Sequence, residues 1–246
     1  MEKAYYGQEW DAAYNSGMTL WYPAECVIRF FAKNLRKQVD VDEYKDLKPI
    51  RTVLDIGCGN GGNVLYFNKL GYEACGVDIS QVAVNIGNRL LKSHGFPETI
   101  ICADMEDAEF PDNHFDAVVS HAALDHITTD KFNTVLKKIN RILKPGGYLF
   151  ITLRGMEGFD YEKNTATEIE PHTLITAEAK ELDSPFENPH EKNIPQHFFS
   201  YEEIMASLTH FDVFDIYQTV TKGGKNFMHE DARWYVAGVL KNKIVP

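Results

Sequence analysis

His121, Asp125 and His126 fall within one short stretch, VSHAALDHITTD. Two imidazoles flanking a carboxylate have three chemical readings. They could ligate a metal, form an assembly in which a carboxylate supports a general base, or close the polar end of a strand. The metal reading is weak. The histidines stand five positions apart where the chain leaves an apolar run, and no further ligand is evident, so no metal is expected. His121 and His126 stay as candidate catalytic groups, with a buried, hydrogen-bonded supporting role as the alternative for His126.

A second stretch, VLDIGCGNGGN, sets Gly57, Gly59 and Gly61 after a strand-like run and before a helical one. There the chain must turn tightly, and a ligand can approach backbone that no Cβ obstructs. The spacing alone is ambiguous, because Gly57, Gly59 and Gly62 also satisfy the G-x-G-x-x-G dinucleotide fingerprint. Two carboxylates break the tie. Asp55 lies inside the apolar run, two residues before the first glycine, where it would repel a pyrophosphate but suit a cationic group. Asp78 ends the next strand, about twenty residues on, where ribose recognition requires an acid. A carboxylate there accepts both ribose hydroxyl protons. The ligand so described has an adenosine end, a cationic end and no phosphate.

The elements that must position these groups alternate between strand and helix. RTVLDIG, YEACGVDI, ETIICAD, HFDAVVSH and YLFITL are apolar, β-branched strand runs, separated by the helical patterns VLYFNKL, QVAVNIGNRLLKSHG and TTDKFNTVLKKINRILKPGG. Strands linked through helices imply right-handed crossovers and a parallel sheet covered on both faces. FDVFDIYQTV and ARWYVAGVL add two strands, joined through TKGGKNFMHED. Lys222 and Lys225 in that turn region read as a solvated hairpin tip. The expected fold is a Rossmann-like, doubly wound α/β domain with a mostly parallel seven-stranded sheet and an antiparallel C-terminal hairpin. Ser200 with Glu203 three positions on is a capping-box signal for a further helix.

Composition narrows the function class. The chain has 246 residues, 44% of them hydrophobic, and a formal charge of −11, which disfavours a nucleic-acid partner. Cys26, Cys58, Cys75 and Cys102 are widely spaced, which argues against a zinc site or a disulfide framework. With no secretory leader or spanning segment read in it, the expected location is cytoplasmic.

The ordered set LDIGCGNG, GVDIS, CADME, FDAVVSHAALDHI and RILKPGGYLFIT resembles the class I S-adenosylmethionine-dependent methyltransferases. The resemblance implies S-adenosyl-L-methionine as cofactor and S-adenosyl-L-homocysteine as product. It implies that Gly57, Cys58, Gly59, Asn60 and Gly61 carry the methionine portion, with Asp55 on its ammonium group. Asp78 would take the ribose hydroxyls and Ile79 the adenine face. Asp104 would accept from the adenine amine, and the Met105 N–H would meet a ring nitrogen. Backbone around Ser120 and His121 would meet the methionine end.

Two regions lie outside the alternating core. Residues 1–48 carry Tyr5, Tyr6, Trp10, Tyr14, Trp21 and Tyr22, and then a helical pattern, AECVIRFFAKNL, after Pro23. EWDAAYNSGMTLWYP resembles a lid pattern of small-molecule members of the family, which would place Tyr14 and Trp21 on the cofactor and Tyr22 towards the acceptor; the alternative is that the aromatics staple a helix to the sheet. Residues 49–246 form the methyltransferase domain, with a polar insertion at about 154–199 as a substrate-recognition element. Within or beside it, Arg154 and His197 are substrate-binding candidates, and Phe159, Tyr161, His172, Phe186 and His190 are weaker ones. The chain lacks the Asn/Asp-Pro-Pro-aromatic motif of enzymes that methylate nucleic-acid amines. A small-molecule acceptor with an O, N or S nucleophile, and a monomer or homodimer, is therefore expected. The alternatives are a macromolecular methyltransferase and a non-catalytic cofactor-binding protein.

Overall fold

Alternation of side chains along five buried strands builds the central layer. The computed structural model describes residues 6–19, 21–41, 43–159, 166–176, 193–223 and 229–241. Helices α1 (Gly7–Asn15) and α2 (Glu25–Asn34) and a hairpin of β1 (Arg36–Asp40) and β2 (Glu43–Asp46) come first. The alternating core follows as β3 (Thr52–Ile56), α3 (Gly62–Lys69), β4 (Glu73–Asp78), α4 (Gln81–Ser93), β5 (Ile100–Cys102), β6 (Phe115–Ser120), α5 (Thr129–Ile142) and β7 (Leu143–Gly155). Then come β8 (Thr167–Glu170), β9 (Thr173–Ile175), β10 (Pro195–Phe199), α6 (Tyr201–Ser207), β11 (Phe211–Gly223) and β12 (His229–Leu240).

The main sheet runs β5-β4-β3-β6-β7-β12-β11, with the first five strands parallel and β12 antiparallel to both its neighbours. This is the expected doubly wound α/β sheet with its C-terminal hairpin. Consecutive residues feed opposite faces, as the pleat requires. Val53, Ala117, Val119 and Phe150 pack with α2, α3 and α4, while Leu54, Val118, Leu149 and Ile151 pack with α5 and α6. On α5 the buried set Phe132, Val135, Leu136, Ile139 and Ile142 keeps helical spacing. Gly95 (φ +80) ends α4: its N–H bonds to Lys92 O and the Phe96 N–H to Leu91 O, a Schellman closure.

Three features depart from the sequence expectation. The hairpin β1–β2 stands where only helix was expected; its residues are almost all exposed, so no apolar period marks it. β7 begins at once after α5, with Pro145 inside it, because Lys144 before proline is driven to extended backbone. β11 and β12 reach further than their apolar runs and take in Lys222 and the His229-Glu230-Asp231 segment, while Lys225 lies outside the described residues. The insertion contributes β8, β9 and β10, a small antiparallel unit whose β10 pairs through Phe198 and Phe199 with Arg154 and Gly155 at the carboxyl end of β7.

Phe67 is fully buried and its ring lies 4.5 Å from that of Phe31, tying α3 to α2. Phe67→Ala is expected to lower unfolding free energy by about 3–5 kcal/mol, measured as a lower urea midpoint at an unchanged slope. A loss below about 1 kcal/mol would show that this contact is not part of the cooperative core.

Candidate active site

The carboxyl ends of β3, β4 and β6 open into a cavity of about 910 Å³, roofed by the segment containing α1. That volume is at the upper end for small-molecule sites and has room for two ligands side by side. At one end lies the glycine loop. Gly57 (φ +66) has to be glycine, since a Cβ would stand 2.2 Å from that of Ala123. At Gly59 (φ +53) the backbone disfavours any side chain, and a Cβ there would meet the Tyr14 hydroxyl at 2.3 Å unless that ring shifted. Gly61 faces away from the cavity and lets α3 approach Gly87 of α4 and Ile100, so its role is packing.

Asp78 holds this end together. Its Oδ2 accepts from the Gly59 N–H at 2.7 Å and its Oδ1 from the Ser80 N–H at 2.9 Å. A carboxylate oxygen can accept more than one proton, and Asp78 lines the cavity. Burial pushes its pKa up, partly offset by those N–H groups. Asp55 sits behind the loop, 1% exposed, with neither oxygen hydrogen-bonded in ordinary geometry. Burial and the charge of Asp78 push its pKa up to about 8, with the Asn63 amide acting in the opposite direction. Asp55 is not among the residues lining the cavity but lies one residue behind Ile56, which is; a buried acid so poorly supplied with donors is costly unless a donor or cation completes it.

α1 is fastened directly over this end. Asp11 accepts from the Ser80 hydroxyl at 2.6 Å and from the Val82 N–H at 3.0 Å, so a residue of α1 joins the amino end of α4. Ile79 and Met105 line the cavity wall, and so does Asp104. The Asp104 carboxylate is already engaged: Oδ1 accepts from the Glu106 N–H at 3.0 Å, and Oδ2 pairs with Lys131 of α5, itself a lining residue.

The other end is formed by the SHAALDH loop after β6. His121 and His126 both line the cavity. The Thr152 hydroxyl accepts from the Ala122 N–H at 2.9 Å and lies 3.0 Å from His121 Nδ1, which is also 3.4 Å from Cys26 Sγ. Burial first, then the Arg233 charge, lowers the His121 pKa to about 4, against the opposing charge of Asp125. His126 lies with Nδ1 3.3 Å from the Pro195 carbonyl oxygen, which can only accept, so Nδ1 bears the proton and Nε2 is the acceptor nitrogen in the neutral ring. The edge of Trp10 packs on it, centroids 5.1 Å apart.

Several sequence candidates do not reach the cavity. Ser120 is buried below it and donates to the Ile56 carbonyl at 3.0 Å, pinning β6 to β3. Arg154 pairs instead with Asp125, Nε to Oδ2 3.5 Å. His197 is 1% exposed with both ring nitrogens engaged, by Thr173 at 2.6 Å and Glu203 at 2.9 Å. Glu203 thereby serves His197 rather than closing the second half of the expected capping box; Ser200 makes the first half, accepting from the Glu203 N–H. Phe159 and His172 join Leu174 and Phe198 in the insertion's own small core. Tyr161, Phe186 and His190, like Tyr5, lie outside the described residues. Tyr14, Trp21, Tyr22, Cys58 and Asn60 do line the cavity, Tyr22 as an exposed rim. Sequence reasoning missed Asp11, Lys131 and Arg233. Only Arg233, a charge inside an apolar strand run, carried a visible signal.

Residues 54–151 match a family model described as a methyltransferase domain. Over 131 residues the chain is 36% identical to the phosphoethanolamine N-methyltransferase of Plasmodium falciparum, spanning 51% of this chain and 48% of that protein. It is 34% identical over 130 residues to the chloroplastic tocopherol O-methyltransferase of Arabidopsis thaliana, 52% of this chain and 36% of the other. The chain thus spans at most about half the length of these curated relatives. Among solved structures, an S-adenosylmethionine-dependent methyltransferase from Methanosarcina mazei superposes with a TM-score of 0.64 at 21% identity, covering 80% of this chain and 95% of that one. Residues 54–151 thus match a methyltransferase domain, and the fold is the one seen in that solved S-adenosylmethionine-dependent methyltransferase.

The depressed His121 pKa has a stability consequence. A base harder to protonate when folded contributes stability above its unfolded pKa, which is lost as pH falls from about 6.5 towards about 4. His121→Phe is expected to flatten the acid side of the stability curve in that window by up to about 3 kcal/mol. Chemical denaturation at pH 7 and pH 4.5 checks this; identical acid sensitivity in the two proteins would contradict the buried, neutral imidazole.

Proposed function

We propose that the protein moves a methyl group from S-adenosyl-L-methionine to an O, N or S nucleophile of a small molecule by in-line transfer. The observation that carries this reading is the pair Asp55 and Asp78 around the glycine loop. One is a buried carboxylate whose oxygens make no well-formed hydrogen bond, the other a cavity-lining carboxylate held by the Gly59 and Ser80 N–H groups. An ammonium group and a pair of vicinal hydroxyls satisfy those needs, and a pyrophosphate satisfies neither. The small-molecule acceptor is supported by relatives named for phosphoethanolamine and tocopherol.

The bound cofactor supplies an electrophilic methyl on a sulfonium, which is already an excellent leaving group. The residues then have to align, exclude water and manage one proton. Asp78 fixes the ribose end, Asp55 the ammonium end, and Ile79 and Met105 flank the base. Gly57, Cys58, Gly59 and Asn60 let the backbone approach closely. Asp104, already paired with Lys131, presents its remaining acceptor direction to the adenine amine. Tyr14, Trp21 and Tyr22 close over the site from the N-terminal segment, which with residues up to 48 serves as a lid. Where the nucleophile carries a proton at working pH, His126 and His121 are the groups proposed to accept it or to hydrogen-bond to the acceptor. The cytoplasm as location, a monomeric or homodimeric state and the lack of a nucleic-acid partner belong to the same reading; no helix among the described residues is long and apolar enough to cross a membrane.

The test is incubation with isotopically labelled S-adenosylmethionine and a metabolite extract, followed by mass spectrometry of the products. A labelled small molecule is the expected result; failure of the folded protein to bind either S-adenosylmethionine or S-adenosylhomocysteine in calorimetry would sink the proposal. Asp78→Ala is expected to weaken cofactor binding by about 1.5–3 kcal/mol through loss of charged hydrogen bonds; unchanged affinity would remove the ribose assignment. Because the free protein holds Asp55 protonated below about pH 8, a cationic ligand should drive its proton off. Affinity should then rise with pH from 6 towards 8, and calorimetry in buffers of different ionisation enthalpy should show net proton release. Release that persists in Asp55→Asn would assign the proton elsewhere.

A further inference from the structure

Beneath the SHAALDH loop lies a charge cluster with no contact to the cavity. Asp125 is 0% exposed in its side chain. Its Oδ2 accepts from Arg233 Nη1 at 3.2 Å and lies 3.5 Å from Arg154 Nε. Those two arginines are register partners across the antiparallel β7–β12 pair. Like charges directly opposite each other on a sheet repel, and both guanidiniums are largely buried, 15% and 14% exposed. The Asp125 carboxylate is the counter-charge that makes their juxtaposition tolerable.

The same residue is tied through its backbone. The Asp125 carbonyl accepts from the His197 N–H of β10 at 2.7 Å, and the His197 ring is held by Thr173 and Glu203. The loop is thus anchored to β7, β12 and β10 at one residue, directly before His126 and four residues after His121. It needs that anchor, because Ala122 adopts φ +49, a left-handed conformation costly for a residue with a Cβ.

We propose that Asp125 is a positioning residue: by sharing its carboxylate between Arg154 and Arg233 it holds the strained loop in the single arrangement that turns His121 and His126 towards the acceptor. The proposal rests on the methyltransferase reading for its purpose, while the geometry stands without it. Arg154 and Arg233 act through Asp125, and neither is a ligand for an acceptor carboxylate.

The experiment is Asp125→Asn in the full chain, read by side-chain imidazole NMR with the protein alone and with S-adenosylhomocysteine. The signals of His121 and His126 are expected to shift or split into several forms, while those of the exposed His94 and His114 coincide with wild type. If the variant melts at a lower temperature but its His121 and His126 signals overlay the wild type, Asp125 is merely structural and the proposal is overturned. Should Asp125→Asn not fold, Arg233→Gln carries the same test, and unmoved signals there overturn it equally. The double variant Asp125→Asn with Arg233→Gln, which restores a single cation for the site, is expected to bring the signals part of the way back; a double variant further from wild type than the single one would overturn the shared-carboxylate account. Calorimetry of wild-type protein with S-adenosylhomocysteine keeps the two ideas apart. Absence of binding refutes the methyltransferase reading and leaves the imidazole result to judge the anchor.

Discussion

One carboxylate, Asp78, is the joint on which the glycine-loop end of the cavity turns. By accepting from Gly59 and Ser80 it couples the glycine loop to the start of α4, and Ser80 in turn donates to Asp11 of α1. Three segments remote in sequence converge on one buried acid. Burial raises the cost of its charge, and the converging N–H groups offset part of that cost. The site is therefore electrostatically incomplete in a defined sense. It holds carboxylates that fixed donors only partly satisfy, and it is covered by a helix whose own acid is spent on α4.

The two ends of the cavity solve opposite problems. The glycine-loop end gathers acidic side chains, Asp78 and Asp104 on the cavity wall with the buried Asp55 behind them, and Lys131 is paired with Asp104. The reaction end keeps its arginines out of the cavity, turned onto Asp125 below the floor. The groups that face the cavity there are two imidazoles, with a threonine hydroxyl behind one of them, and the aromatic rings of the N-terminal segment. A cationic ligand is drawn to one end, while the other offers hydrogen bonds and π faces.

Much of this was legible in the residues. The alternation of apolar runs and helical patterns specified the order of strands, because a parallel strand buried on both faces needs a continuous apolar run and a crossover. Asp55 and Asp78 stood out since an acid inside or ending such a run is expensive without a use. What sequence could not show were partnerships made across long separations by residues ordinary in their own neighbourhoods. Lys131 on the first turn of α5 looks like any solvated helix lysine until α5 is laid against Asp104. His197 looks like a ligand until β9 and α6 bring Thr173 and Glu203 to its two nitrogens. Arg154 was read at the right edge of the sheet but with the wrong partner, because its register neighbour Arg233 enters only once β12 is in place. The hairpin β1–β2 left no trace since it buries almost nothing.

The insertion of β12 between β7 and β11 has a consequence for how the site comes into being. Strands made later in the chain complete a sheet whose parallel half can form from nearby segments. The Arg233–Asp125 contact spans 108 residues of chain, among the costliest closures in the molecule. The glycine loop and its acids are built from segments close in sequence, whereas the floor beneath His121 and His126 is closed by a strand from the far end of the chain, so the two halves of the cavity differ in the length of chain that has to be brought together.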